Sequence, residues 1–200
     1  MLHVPIPAAR RWTPRPRVSG FLAATVLASL LTVGAGTAAP SPAAASTPPT
    51  WYSVETYYMR LVNCTRTGGW VRADGSCAGY GSGRYSRYVA PLRLGPNLSN
   101  VSRAWAKYLA TTNGCFHGDP GARMRAAGFT SWSWGENIGC GAGATDPYAS
   151  VLASHLAMQR EKSTNGGHWK NIKNASFKYI GIGVWGSGDH IRLVTDFYSW

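Results

Sequence analysis

The chain has 200 residues, of which 44% are hydrophobic and 14% are charged. The charged fraction is too low for a disordered chain, and the glycines and prolines show no fixed period. Composition therefore excludes disordered, collagen-like and repeat proteins and leaves a small globular protein. The formal net charge is +12. Basic residues concentrate between Trp51 and Lys107, which favours anionic surfaces such as cell-envelope polymers, membranes or nucleic acid, although a solvated basic surface is the simpler explanation.

The N-terminal region has the pattern of an export signal. Arginines precede an apolar stretch over residues 21–36, and alanines before Ser46 offer a cleavage site near Ala45. The apolar stretch is shorter than the roughly 20 residues that a membrane-spanning helix needs. We therefore predict a secreted protein. Its predicted parts are a cleaved signal peptide over 1–45, a short linker over 46–51 and a single domain over 52–200.

Four cysteines lie in the predicted mature chain. Exported proteins meet oxidising conditions, and four cysteines allow three disulfide pairings. The favoured pairing joins sequence neighbours, Cys64 with Cys77 and Cys115 with Cys140. A four-cysteine zinc site is the weaker alternative, because the C-x-x-C spacing of such sites is absent.

Hydrophobic periodicity and capping residues predict four helices. Apolar residues three and four apart mark a first helix over 54–63 and a second over 98–109. Asp119 and Asp146 each precede a proline, which is typical of the start of a helix. The last of these helices carries His155 on its apolar face, where a histidine more often belongs to the core.

Residues 64–96 are predicted to form a long loop that the Cys64–Cys77 disulfide closes in part. Glycines and prolines interrupt regular structure there, and loops of this length are often functional. Four arginines alternate with aromatic residues along the loop. Such a pattern suits stacking on sugars or bases, whereas packing of the aromatic rings on the domain is the simpler interpretation.

Three segments alternate in the manner of β-strands: residues 132–138, 177–185 and 191–197. In the third strand, alternation places Arg192 and Asp196 opposite the apolar residues. In the first, Glu136 faces the same side as Trp134 and Ile138, so its carboxylate needs a partner to offset desolvation. Helices combined with a small antiparallel sheet predict an α+β sandwich.

Three side chains are the candidates for chemistry: His117, Glu136 and His168. If the fold brings them together, two imidazoles and one carboxylate can hold a divalent cation or relay protons. Their spacing matches no short metal-binding motif, so the sequence pattern alone does not establish a site.

Several motifs resemble the CAP superfamily, which comprises the cysteine-rich secretory, antigen 5 and pathogenesis-related-1 proteins and is also called the SCP-domain family. They are W-G-E-N-I at 134–138, G-H-W-K-N-I at 167–172, I-G-I-G-V-W at 180–185 and D-F-Y at 196–198. The resemblance covers about residues 52–200 and suggests a bacterial-type secreted member. It implies a three-layer α-β-α sandwich with a small antiparallel sheet between helices and a central cleft.

The resemblance also implies a set of cleft residues. Many family members hold two histidines and two glutamates there, which bind a divalent cation such as zinc, calcium or magnesium. By resemblance, His117 and His168 are the two histidines, and Glu136 is the glutamate of the G-E-N motif. Met158 stands where the family often has its second glutamate, and His155 is a further candidate for the cleft. Glu161, three residues beyond Met158, is expected to point elsewhere.

These observations favour a binding protein over an enzyme. No nucleophile elbow, phosphate-binding loop or dinucleotide fingerprint is present. The leading hypothesis is a secreted monomer that binds a lipid-like, glycan or protein ligand in the cleft, with no specific nucleic-acid partner. One alternative is a metal-assisted hydrolase, in which His117 and His168 hold the cation and Glu136 is the general base. Another is a basic protein that binds anionic polymers of the cell envelope.

Overall fold

The computed structural model describes residues 51–131, 133–142 and 145–199. The predicted signal peptide, most of the linker, Trp132 and Trp200 lie outside the described residues. The elements in chain order are α1 (Tyr52–Arg66), β1 (Trp70–Val71), β2 (Cys77–Ala78), β3 (Arg93–Leu94), α2 (Pro96–Thr111), α3 (Pro120–Ala126), β4 (Trp134–Ala142), α4 (Pro147–Arg160), a 3₁₀ helix (Glu161–Thr164), α5 (Gly167–Lys173), β5 (Tyr179–Ser187) and β6 (His190–Tyr198).

The main sheet has four strands in the order β3-β5-β6-β4. Strands β4, β6 and β5 are antiparallel, and β3 adds a short parallel edge beside β5. Strands β1 and β2 form a separate antiparallel pair. Helices α1, α4 and α5 contact one another and the sheet, while α2 packs on β5 and β6.

The glycines of β5 explain how closely α2 packs on the sheet. A Cβ atom at Gly181 would lie 2.5 Å from the backbone of Leu98, and one at Gly183 would lie 2.3 Å from the backbone of Ser102. The alternating residues Ile180 and Ile182 are fully buried in the larger core with α1. The strand therefore presents glycines to one helical layer and bulky side chains to the other.

Both faces of β6 are buried. Leu193 belongs to the core shared with α1, whereas Val194 packs with residues of α2. Helices thus cover the sheet on both sides, which confirms the predicted α-β-α sandwich. Arg192 and Asp196 lie on the face of β6 opposite Leu193, as alternation predicts, and both are buried because α2 covers that face.

Other predictions hold in part. Both disulfides form as predicted, and Asp119 and Asp146 accept backbone hydrogen bonds from α3 and α4. Helix α1 continues to Arg66, so the predicted loop begins later than residue 64 and contains three short strands. Helix α5 was not predicted. No described helix has the length and apolar character that crossing a membrane requires.

Candidate functional site

The first predicted pair of cleft residues comes together around Glu136. Glu136 lies on β4, and its carboxylate Oε1 is 2.7 Å from Nδ1 of His117. Its other oxygen accepts a hydrogen bond from the guanidinium of Arg123 on α3. Arg123 also donates to the backbone carbonyl of His117 at 2.8 Å and stacks over the Trp105 ring. The Cys115–Cys140 disulfide ties the segment that carries His117 to β4.

Burial makes the Glu136 carboxylate unusual. Its side chain is 1% exposed, whereas that of His117 is 54% exposed. Burial raises the pKa of Glu136 above its ordinary value, although His117 and Arg123 oppose the shift. One carboxylate oxygen bonds to His117 and the other to Arg123. The buried carboxylate of Glu136 is therefore in contact with an imidazole that is half-exposed to solvent.

A second carboxyl lies beside the first. Asp196 is the cross-strand partner of Glu136 on β6, and it accepts a hydrogen bond from Ser102 at 2.7 Å. Burial raises the pKa of Asp196, and the charge of Glu136 raises it further. Sequence reasoning missed Asp196, because simple alternation assumes that a strand has one solvent-facing side. The D-F-Y motif at 196–198 was the available signal.

The third predicted residue, His168, pairs with a different carboxylate. Its Nδ1 lies 2.6 Å from Oε1 of Glu161, and its backbone N–H donates to Oε2 of Glu161 at 2.9 Å. Burial has the largest single influence on Glu161 and raises its pKa, but the hydrogen bond and charge of His168, together with the backbone N–H groups of His168 and Trp169, outweigh it and hold the pKa below the ordinary value. The expectation that Glu161 points elsewhere is wrong. Helix α4 ends at Arg160, and the following 3₁₀ helix turns Glu161 back towards α5.

Two asparagines link the histidine–glutamate pairs. Asn137 donates to the backbone carbonyl of His168 at 3.1 Å, and Asn171 donates to that of Glu136 at the same distance. Asn171 also donates to Asn137 at 2.8 Å. The asparagines of the G-E-N and G-H-W-K-N motifs therefore hold the two motifs against each other.

The remaining candidates divide between cleft and core. Met158 is buried, and its sulfur accepts a hydrogen bond from Tyr58. His155 is fully buried; its Nε2 bonds to Thr65, which donates to Gln159. Nε2 therefore carries the proton, and Nδ1 has no hydrogen-bond partner in the described chain. Burial lowers the pKa of His155 to about 3, so His155 is a neutral core residue.

The donor chemistry fits a cation only partly. In both pairs Nδ1 faces a carboxylate, which is the usual orientation of a histidine that binds a metal through Nε2. However, the described residues contain no group of three or more His, Cys, Asp or Glu side chains arranged to hold a metal ion. The structure therefore shows two histidine–carboxylate pairs where the sequence predicted one three-residue set.

A groove of about 500 Å³ runs between β4 and α4. Two glycines let α4 approach β4 closely beside it: a Cβ atom at Gly139 would lie 2.4 Å from the Ser154 hydroxyl, and one at Gly141 would lie 2.3 Å from that of Ser150. The His168–Glu161 pair lies near the end of the groove formed by the C-terminal part of α4. The lining is mainly apolar or small: Ile138, Gly139, Cys140, Gly141, Ala142, Ala149, Ser150, Ala153, Ser154, Ala157 and Met158, with Glu161 and His168.

Residues 60–197 match the model of the CAP family, described as the cysteine-rich secretory protein family. The chain belongs to the CAP family. The structure resembles Na-ASP-1 with a TM-score of 0.52 and 13% identity, covering 72% of this chain and 38% of that one. NaASP2 with Zn²⁺ matches with a TM-score of 0.50 and 14% identity, covering 72% of this chain and 78% of that one.

A bacterial CAP domain is also similar. The CAP domain of enterococcal PrgA matches with a TM-score of 0.50 and 13% identity, covering 74% of this chain and 60% of that one. The chain spans less than half of some neighbours, including 41% of an SCP-domain protein from Bacillus anthracis. No curated protein matches the chain. At these identities, the structural neighbours establish the shared fold.

Proposed function

We propose that this CAP-family protein binds an elongated, largely apolar ligand in the groove between β4 and α4. The single observation that carries this proposal is the groove itself, whose mainly apolar lining meets the His168–Glu161 pair near one end. Apolar lining with a few convergent polar groups is typical of small-molecule sites. A lipid-like molecule with an anionic head group suits this arrangement, because its chain gains from burial and its head group can meet an imidazole.

An extracellular location accompanies this proposal. Both disulfides join residues of the folded domain, and no cysteine remains unpaired in the described residues. Stable disulfides are typical of exported proteins, and the pattern over residues 1–45 supports the same location.

The alternative hydrolase receives less support from the geometry. A general base needs a free oxygen within reach of the proton that it removes. Both oxygens of Glu136 already bond to His117 and Arg123, so Glu136 would have to release a partner first.

A divalent cation would be held through the Nε2 atoms of His117 and His168, with Glu136 and Glu161 orienting the rings. It would supply positive charge for an anionic ligand group.

Binding of a fluorescent C16 fatty acid tests the groove. Replacing Ala153 with tryptophan fills the groove, and we expect the affinity to fall at least about tenfold, which corresponds to roughly 1.4 kcal/mol. The control is Ala175→Trp at an exposed position outside the groove, and its affinity should equal that of the parent. Equal affinities of all three proteins, or no binding to the parent, would contradict the proposal.

A second comparison tests the polar end of the groove. His168→Ala should weaken binding of the fatty acid while leaving binding of the corresponding fatty alcohol unchanged, because only the acid carries a charge. Isothermal titration with Zn²⁺ addresses the cation separately. Zinc is the first ion to try, since the neighbour NaASP2 is described with Zn²⁺.

A further inference from the structure

The segment from Gly79 to Tyr88, which we call the arginine–tyrosine turn, lies outside the proposed groove and displays charge and rings together. Tyr80 and Tyr88 are 59% and 50% exposed. Arg84 and Arg87 are also exposed. Tyrosine rings have one apolar and one polar part, so exposed tyrosines beside arginines offer a ligand both flat faces and charged donors.

The cations in and around the turn are not neutralised. Within the described chain, Arg84, Arg87, Lys162 and Lys173 have no carboxylate within 4.0 Å. Burial, together with the positive charges of Arg66, Arg87 and Lys162, lowers the pKa of Lys173 to about 8. Like charges therefore act on one another here, and the region carries a positive potential that an anion would relieve.

The turn is held in place before any ligand arrives. The backbone N–H of Tyr85 donates to the carbonyl of Gly68, just after the end of α1, at 2.9 Å. The ammonium of Lys173 on α5 donates to the carbonyl of Arg87 at 2.6 Å and to Ser86 at 3.0 Å. Just beyond the turn, the buried guanidinium of Arg66 donates to the carbonyl of Ala90 at 2.6 Å. A fixed loop loses less conformational entropy on binding than a mobile one.

We propose that the arginine–tyrosine turn binds a linear anionic glycan. Arg84 and Arg87 pair with its acidic groups, since the guanidinium fork matches carboxylate and phosphate geometry. Tyr80 and Tyr88 supply flat, partly polar faces for the sugar rings. A lipid surface fits less well, because the exposed rings of the turn are tyrosines, and the apolar side chains of Val89 and Leu92 that follow are buried. This site shares no residue with the groove between β4 and α4, so either proposal can fail without the other.

Binding to polygalacturonate, with uncharged pullulan as the reference polymer, tests the proposal. We expect the parent to bind polygalacturonate but not pullulan, and to bind more weakly as salt rises. The double variant Arg84→Ala/Arg87→Ala should lose at least about tenfold in affinity. The matched control Arg125→Ala/Lys178→Ala removes the same charge from exposed positions elsewhere and should change affinity less than about twofold. Equal losses in the two double variants would show binding by net charge and overturn the proposal.

Two further arms identify the class of ligand. Tyr80→Ala/Tyr88→Ala should weaken binding to polygalacturonate and leave binding to inorganic polyphosphate unchanged, because polyphosphate has no sugar ring. An equal loss for both polymers would overturn the stacking role. Tighter binding to phosphatidylglycerol vesicles or to a single-stranded oligonucleotide than to polygalacturonate would overturn the choice of a glycan. The substituted arginines and tyrosines of the turn are exposed, so these variants should unfold at the same temperature as the parent.

Discussion

The two histidine–glutamate pairs of the cleft have the same composition but different surroundings. Glu136 is buried beside Asp196 and receives the guanidinium of Arg123. Glu161 is 29% exposed and also accepts backbone N–H groups at the start of α5. The comparison teaches that the Glu136 pair is part of the core of the domain, whereas the Glu161 pair belongs to the accessible wall of a groove.

The largest effect expected from this difference follows removal of Arg123. Arg123→Met would leave the buried carboxylate of Glu136 without its guanidinium, next to the buried carboxyl of Asp196. Breaking a buried ion pair costs about 3–5 kcal/mol, and urea unfolding at pH 7 measures the loss. Glu161→Gln is the matched change in the other pair. Equal destabilisation by the two substitutions would contradict the assignment of one pair to the core.

The second effect is a pH dependence of stability that comes from His155. It overlaps the acid range in which the two pairs are compared, so it must be measured first. Its pKa of about 3 in the folded protein lies below the ordinary 6.5. Between these values the unfolded chain binds more protons, so the free energy of unfolding falls by about 1.4 kcal/mol per pH unit as the pH decreases. His155→Leu should remove this contribution. A parallel pH dependence of parent and His155→Leu would show that His155 is not a neutral core residue.

The smallest effect is the most specific to the comparison, because the pKa values of the two glutamates shift in opposite directions. The lowered pKa of Glu161 means that its contribution to stability is present above pH 4.5 and is lost as the pH falls through the folded-state pKa. The raised pKa of Glu136 means that protonation favours the folded state as the pH falls.

Unfolding of Glu161→Gln and Glu136→Gln from pH 7 to pH 3.5 measures these opposite slopes. The stability difference between parent and Glu161→Gln should stay below about 1 kcal/mol, since solvent screens an exposed pair, and should shrink in acid. The free energy of unfolding of the parent minus that of Glu136→Gln should increase in acid, because protonation of Glu136 favours the folded parent. Slopes of the same sign would contradict the separation of the two pairs.

The sequence was sufficient for features that depend on local chemistry. The aspartates before Pro120 and Pro147 cap their helices because the capping bond spans only two or three residues. The neighbouring cysteines pair as expected. These interactions are decided within a short stretch of chain, so a pattern of residues is enough to predict them.

Features that depend on tertiary packing were harder to predict. The position of Glu161 could not be predicted from helical periodicity, because periodicity assumes that α4 continues regularly, whereas the change to a 3₁₀ helix alters the direction of the side chain. The burial of Asp196 and Arg192 could not be predicted, because nothing local indicates that helices cover β6 on both sides. The sequence predicted one set of three residues, His117, Glu136 and His168. The structure has two linked pairs instead, because the surrounding fold decides which carboxylate each histidine meets.

Arg66 makes the order of events during folding depend on the far end of the chain. Its guanidinium bonds to backbone carbonyls of Ile172, Asn174 and Phe177, which are 106 to 111 residues later in the sequence. Closing such a long segment is entropically costly and slow. The Arg66 guanidinium therefore finds these three carbonyls only after residue 177 has been synthesised, and a protein truncated before Ile172 would leave this buried cation without them.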